Sequence, residues 1–147
     1  MKDLQAQQRL AQADTIHITD LESAINYWRT QHPCDDDASL PPDLEVLAEV
    51  YAQMIMHRAM EVEAARIPQH ALDAWIAWYA TTKDTPCIAI CSTSQGDAEC
   101  KGCGRSEQEV HGWLALSPFA KRKVWLRITN EGRALRFNRY AERALLQ

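Results

Sequence analysis

Apolar residues recur along most of the chain at the three- and four-residue spacing of an amphipathic helix. In the first half, three such runs predict helices over residues 19–32, 41–66 and 68–81. The first run begins with Thr19 and Glu22, which have the spacing of a capping box, and prolines open the other two runs. The N-terminal half is therefore expected to be a helical bundle.

The same periodicity returns after a cysteine-rich stretch in the second half. Ser106 and Glu109 form a second capping box, and Ser117 followed by Pro118 is a typical helix start. A break near Gly132 separates that helix from a last one. Neither a strand nor an internal repeat is evident, so the pattern predicts an all-α protein.

Length and charge indicate two modules. The chain has 147 residues, of which 46% are hydrophobic, enough for one ordinary packed domain or two small ones. Residues 1–100 contain 6 Lys and Arg against 16 Asp and Glu, whereas residues 101–147 contain 10 against 4, so the net charges are −10 and +6. We expect a helical module over residues 1–82 and a cysteine loop with helices over residues 83–147.

The sequence gives no sign of a membrane segment. No apolar run approaches the roughly 20 residues that a helix needs to cross a bilayer. The N-terminal residues 1–8 are polar and lack the apolar core of a signal peptide. We therefore expect a cytoplasmic protein with no membrane interaction, in a compartment where thiols stay reduced.

Four cysteines lie together in one short stretch of the second half. Cys87 and Cys91 are separated by three residues and follow Pro86, while Cys100 and Cys103 are separated by two. Thiolates at such spacing bind soft metal ions, because each pair can turn both sulfurs to one side of the backbone. These four cysteines are the predicted metal ligands.

The spacing alone leaves two kinds of metal centre open. Zn²⁺ on four cysteines is a closed structural site, and an iron–sulfur cluster also takes four cysteines, although the best-known ferredoxin spacings differ from this one. The Cys-x-x-Cys-Gly turn favours a single tetrahedral ion. Disulfides, free structural thiols and thiol–disulfide exchange at Cys100 and Cys103 are weaker alternatives, since cytosolic disulfides are rare and no strand precedes the motif.

Residues around the second cysteine pair are expected to support the ligands. Gly102 and Gly104 permit a left-handed backbone, which lets N–H groups point at the sulfurs. Arg105 is expected to hydrogen-bond across the loop or to pair with Glu109, and Trp113 to pack next to the loop. The expected supporting residues are Gly102, Gly104, Arg105, Ser106, Glu109 and Trp113.

A specific residue pattern runs from Pro86 to Trp125. It consists of Pro86-Cys87-Ile88, Cys91, Cys100-Lys101-Gly102-Cys103-Gly104-Arg105-Ser106, Glu109-Val110, Trp113, Leu116-Ser117 and Val124-Trp125. This pattern resembles the small bacterial family called domain of unknown function 1289, whose members are described as predicted iron–sulfur proteins. The resemblance implies four metal ligands but supplies no reaction. Ser106 stands where such families usually have threonine, and both residue types cap helices.

The N-terminal half carries a second pattern. It consists of Leu21-Glu22, Ala24-Ile25-Asn26-Tyr27-Trp28-Arg29 and Leu47-Ala48-Tyr51. It resembles another uncharacterised bacterial family of helical domains, which brings no known activity. Together the two resemblances imply a fusion of two small modules.

Arginines recur on one side of the predicted last helix. Arg136, Arg139 and Arg143 form a basic stripe that could bind the phosphates of a nucleic acid. The alternative, which we favour, is a solvated helix face or the docking of this basic segment on the acidic N-terminal half.

These observations support three hypotheses for the function. The leading one is an interaction or regulatory module that binds a structural metal through four cysteines and has an unidentified protein as its partner. The first alternative is an iron–sulfur protein that transfers electrons or senses oxidants, and the second is nucleic-acid binding through the basic C-terminal helices. No phosphate loop, nucleophile elbow or paired histidine and carboxylate is evident, so the sequence favours a role without catalysis.

Overall fold

The computed structural model describes residues 14–32 and 39–137. The chain divides into two compact units. The first comprises the residues up to Thr82 together with Pro118–Ala120, and the second comprises Lys83–Ser117 and the residues from Lys121 onward. Each unit is described separately below.

Three helices form the body of the first unit: α1 (Ile18–Gln31), α2 (Pro42–Met56) and α3 (Gln69–Tyr79). Each packs against the other two. Their apolar faces bury a core that includes Leu21, Leu47 and Trp75, and the indole Nε1 of Trp28 on α1 donates to the carbonyl of Ala74 on α3 at 3.0 Å. The predicted helical bundle is confirmed for this half.

A small antiparallel ribbon corrects the all-α prediction. Strand β1 (Thr15–His17) pairs with β2 (Glu61–Glu63), with Ile16 opposite Val62. The protein is mostly helical rather than purely so. Each strand has only three residues, which is too short to show an alternating pattern in the sequence.

The ribbon also changes two predicted helix ends. Helix α2 ends at Met56 instead of extending to residue 66, because Arg58 takes a left-handed conformation with φ of 51° and turns the chain toward β2. Residues Ala64–Arg66 form a short 3₁₀ turn after β2. At the start of α1, the ring of His17 accepts a hydrogen bond from the Thr19 amide at 3.2 Å, so the predicted cap at Thr19 is wrong.

The second unit, as far as residue 137, contains two α-helices and several short turns. Helix α4 (Glu107–Gly112) leads through a 3₁₀ turn at Trp113–Ala115 to α5 (Pro118–Glu131), and further 3₁₀ turns lie at Ser92–Gln95 and Leu135–Phe137. The capping box that starts α4 is confirmed: the Glu109 amide donates to the Ser106 hydroxyl, and the Ser106 amide donates to the Glu109 carboxylate at 2.8 Å. Across the described ranges of both units, no helix combines the length and apolarity needed to cross a bilayer.

The cysteine-bearing segments of the second unit touch each other through Gly102. A Cβ atom at this position would lie 2.4 Å from the carbonyl oxygen of Ile90 and 3.3 Å from the Ile88 side chain. Such a distance to a backbone atom is well inside van der Waals contact. The packing of residues 88–90 against the second cysteine pair therefore requires glycine.

We expect Gly102→Ala to destabilise the protein, because the added methyl group would force the two segments apart. Overpacking of this kind typically costs about 1–3 kcal/mol of unfolding free energy. The matched control is Gly112→Ala, since a Cβ there meets nothing within 4 Å and φ is −90°. The unfolding free energy of that control should exceed that of the wild type by no more than about 1 kcal/mol. Urea unfolding of both variants, followed by circular dichroism, measures the difference, and equal stability of the two would contradict the contact.

Candidate metal centre

The second cysteine pair lies in a turn closed by backbone hydrogen bonds. The Cys100 amide donates to the Arg105 carbonyl, and the Gly104 amide donates to the Cys100 carbonyl, both at 2.8 Å. Gly104 has φ of 87°, a left-handed conformation that glycine adopts without a side-chain clash. The turn presents the sulfurs of Cys100 and Cys103 toward the interior, where both residues are buried.

Backbone amides surround the sulfur of Cys100. Burial opposes ionisation of this thiol, but the N–H groups of Cys103, Ser92 and Gly102 point at the sulfur and outweigh the burial, which lowers the pKa of Cys100 to about 7. The thiol itself lies 3.3 Å from the Ile90 carbonyl, to which it donates. A setting rich in N–H donors suits a thiolate ligand, because hydrogen bonds to the charged form stabilise it.

The sulfur of Cys103 has a different setting. Burial raises the pKa of this thiol, while the Arg105 guanidinium, whose Nε donates to the sulfur at 3.3 Å, offsets part of that effect. The neighbouring Cys100 thiol adds to the rise. Cys103 therefore remains a thiol at neutral pH unless a positive partner in addition to Arg105 stabilises its thiolate.

Arg105 is itself buried, with only 5% of its surface exposed. Its guanidinium lies 4.7 Å from the ring centre of Trp113, and no carboxylate among residues 14–32 and 39–137 lies within ion-pair distance of it. The alternative partner Glu109 pairs with Arg127 instead. A buried guanidinium is costly without an anion nearby, so the sulfur of Cys103 is the group that its charge faces.

The Trp113 ring lies close to two cations. Arg105 lies over the indole ring, and the ammonium of Lys121 lies 5.7 Å from the ring centre. Lys121 is also buried, but it forms an ion pair with Asp84 at 2.9 Å. Of the two buried cations, only Arg105 lacks a carboxylate partner within the described ranges.

The first cysteine pair lies in a strained loop. Ala89 adopts φ of 66°, which is uncommon for a residue with a side chain, and its N–H donates to the sulfur of Cys87 at 3.3 Å. Cys91 lies beside the Thr93 hydroxyl, with 3.1 Å between sulfur and oxygen. Left-handed non-glycine residues collect at functional sites, where surrounding structure maintains them.

The two cysteine pairs are brought into neighbouring segments. The Lys101 amide donates to the Ser92 hydroxyl at 2.8 Å, and the Ser92 amide points at the Cys100 sulfur. Ser92 directly follows Cys91, so the backbone of one pair contacts the thiol of the other. Within the described part of the chain, however, no three His, Cys, Asp or Glu side chains are gathered closely enough to hold a metal ion. The donor types and the backbone setting fit a four-thiolate centre, whereas the four sulfurs do not converge.

The predicted phosphate-binding arginines divide between described and undescribed residues. Arg136 is described, and its guanidinium donates to the Pro86 carbonyl at 2.9 Å and lies 4.8 Å from the ring centre of Trp125. Arg139 and Arg143 lie outside the described residues, as does Cys34, the fifth cysteine. The side chain of Arg136 is therefore engaged in contacts inside its own unit.

Several residues of this region have no counterpart in the sequence-based prediction. The backbone N–H groups of Ala89 and Ser92 donate to cysteine sulfurs. These contacts depend on the backbone conformation, so the residue types at the two positions could not predict them. The buried pair of Lys121 and Asp84 joins positions 37 residues apart. Lys121 lies at helical spacing with Val124, Trp125 and Ile128, and a lysine on such an apolar face was the available signal, since buried lysines need a partner.

Comparison with known families gives two matches. Residues 14–80 match a family described as Protein of unknown function (DUF3717), and residues 85–131 match one described as Protein of unknown function (DUF1289). Neither a curated protein nor a solved structure shows a significant match to the chain. Both resemblances inferred from the sequence are confirmed, and the chain joins two segments that are each similar to a family of unknown function.

Proposed function

We propose that the second unit is a metal-binding module in which Cys87, Cys91, Cys100 and Cys103 are the ligands, and that the protein acts as an interaction or regulatory module. The observation that carries the proposal is the contact between the two cysteine segments. An amide adjacent to one pair points at a buried sulfur of the other. Cytosolic disulfides are rare, so a metal is the expected link between the two pairs.

The surroundings of the sulfurs support thiolate ligands. Three backbone amides face Cys100, and the buried guanidinium of Arg105 faces Cys103. A metal bound by four thiolates carries net negative charge, which these donors would offset. Movement of the exposed Cys87 and of Cys91 toward the buried pair would complete the ligand set.

The kind of metal determines what the module does. Zn²⁺ would supply folding energy by cross-linking the two segments, and an iron–sulfur cluster would add a site for electron transfer or oxidant sensing. A reducing compartment such as the cytoplasm would keep all four thiols available. Leu114, which is 92% exposed, offers an apolar contact for a protein partner.

We expect the protein, purified without oxygen, to contain about one zinc ion per chain. Cys→Ser substitution at position 87, 91, 100 or 103 should lower that content and destabilise the second unit, since each variant loses a ligand. Elemental analysis for zinc and iron, together with sulfide determination, measures the content. Iron with matching sulfide would favour the redox alternative.

The matched control is Cys34→Ser, which removes a cysteine outside the proposed ligand set and should keep full metal content. A wild-type protein whose four proposed ligand cysteines are reduced but which has no metal affinity would refute the proposal. Full metal content in a Cys103→Ser variant would show that the ligand set is wrong.

We also expect Arg105→Gln to weaken metal binding by about 10-fold or more, which is the usual scale for a hydrogen-bonded outer partner. The buried guanidinium would no longer offset the charge of the thiolates. Arg105→Lys should retain part of the affinity, since it keeps the charge but lacks the planar group that stacks on Trp113. Competition with a chromophoric chelator gives the affinities.

Lys101→Gln is the control for charge alone. Lys101 adjoins Cys100 and its ammonium pairs with Asp97 at 3.5 Å, but its side chain is 76% exposed, so solvent screens its charge. We expect this variant to bind metal almost as well as the wild type. Equal losses in the Lys101 and Arg105 variants would show that the buried position of Arg105 is unimportant.

A further inference from the structure

Arg136 contacts both cysteine-bearing segments at once. Its backbone N–H donates to the carbonyl of Gly102 at 3.0 Å, and its guanidinium donates to the carbonyl of Pro86 at 2.9 Å. Pro86 immediately precedes Cys87, and Gly102 lies between the two cysteines of the other pair. One residue therefore ties together the backbones from which both pairs project.

The side chain of Arg136 is held in the orientation that reaches Pro86. Its guanidinium lies 4.8 Å from the ring centre of Trp125, whose indole Nε1 donates to the Asp84 carbonyl at 3.4 Å. The flat face of a guanidinium stacks well on an indole, and this contact restricts the side-chain rotamers. The neighbouring Leu135 amide also donates to the Lys101 carbonyl at 3.0 Å, so residues 135–136 lie alongside residues 101–102 in the turn of the second pair.

Arg133 provides a contrast within the same segment. Its side chain is 66% exposed, and its guanidinium pairs with the carboxylates of Glu99 and Glu131. Exposed ion pairs of this kind contribute little, because water and salt screen them. Two arginines three residues apart therefore carry the same charge but have different surroundings.

We propose that Arg136 is a positioning residue: it holds the backbones of the two cysteine segments together, so that Cys87 and Cys91 need to move less to complete the ligand set, and it thereby raises the affinity of the proposed metal centre. The inference rests on the proposed function, since it concerns the same four thiols. It gives Arg136 a role other than phosphate binding. Thermodynamic reciprocity requires that metal binding in turn stabilises the contacts of Arg136 with Pro86 and Gly102.

The experiment is a Co²⁺ titration of the reduced, metal-free full-length chain. Tetrahedral thiolate-bound Co²⁺ absorbs visible light, and the absorption per bound ion reports how many thiolates bind. We expect Arg136→Gln to weaken Co²⁺ binding by about 10-fold or more and to lower the absorption per bound ion. Arg136→Lys should recover part of both, because its ammonium can still donate to the Pro86 carbonyl.

Arg133→Gln is the matched control, since it removes the same charge from the same segment. It should change the affinity by no more than about twofold, as expected for a screened surface pair. Equal losses in Arg133→Gln and Arg136→Gln would overturn the inference by showing that net charge is responsible. Wild-type affinity and absorption in Arg136→Gln would also overturn it.

Trp125→Leu keeps the inference testable if Arg136→Gln fails to fold. This variant retains both hydrogen-bond donors of Arg136 and removes the stacking that orients them, together with the indole hydrogen bond to the Asp84 carbonyl, so we expect a several-fold loss of affinity. No loss in a folded Trp125→Leu variant with wild-type absorption would contradict the positioning role. A wild-type chain that binds no Co²⁺ would refute the proposed function itself, which is distinguishable from all of these outcomes.

Discussion

The structure of the second unit depends on the close contact between Gly102 and the Ile90 carbonyl. Because no side chain separates them, the loop of the first cysteine pair lies directly on the turn of the second. This contact places the Ser92 amide at the Cys100 sulfur and brings the Pro86 and Gly102 carbonyls within reach of one arginine. A single absent methyl group thus determines which polar groups can meet around the thiols.

Buried charge is the second constraint on this unit. Lys121 and Arg105 are both removed from water, yet only Lys121 has a carboxylate partner among residues 39–137 and 14–32. An unpaired buried cation is strongly unfavourable, and the Arg105 guanidinium donates from its Nε to the sulfur of Cys103 at 3.3 Å. The Arg105 guanidinium therefore offsets part of the burial that raises the pKa of Cys103, while backbone amides lower the pKa of Cys100.

Local signals in the sequence predicted much of the fold. Proline at a helix start and the Ser106 capping box act within one turn of backbone, so they can be read without tertiary information. The three-residue strands could not be predicted, because their pairing depends on a partner more than 40 residues away. The same limit applies to the candidate site. Spacing identified the cysteines, but the side chain of Arg136 meets a carbonyl 50 residues earlier in the chain, which helical periodicity does not reveal.

The four described cysteines differ in their access to solvent. Cys100 and Cys103 are buried, Cys91 is partly covered and Cys87 is exposed. A second protein chain can approach only a sulfur that protrudes, so among these four cysteines cross-linking between chains under oxidising conditions would begin at Cys87. The loop that holds this residue would then be captured by a covalent bond to a neighbour. A disulfide between chains at Cys87 would thus also remove the first cysteine pair as a source of metal ligands.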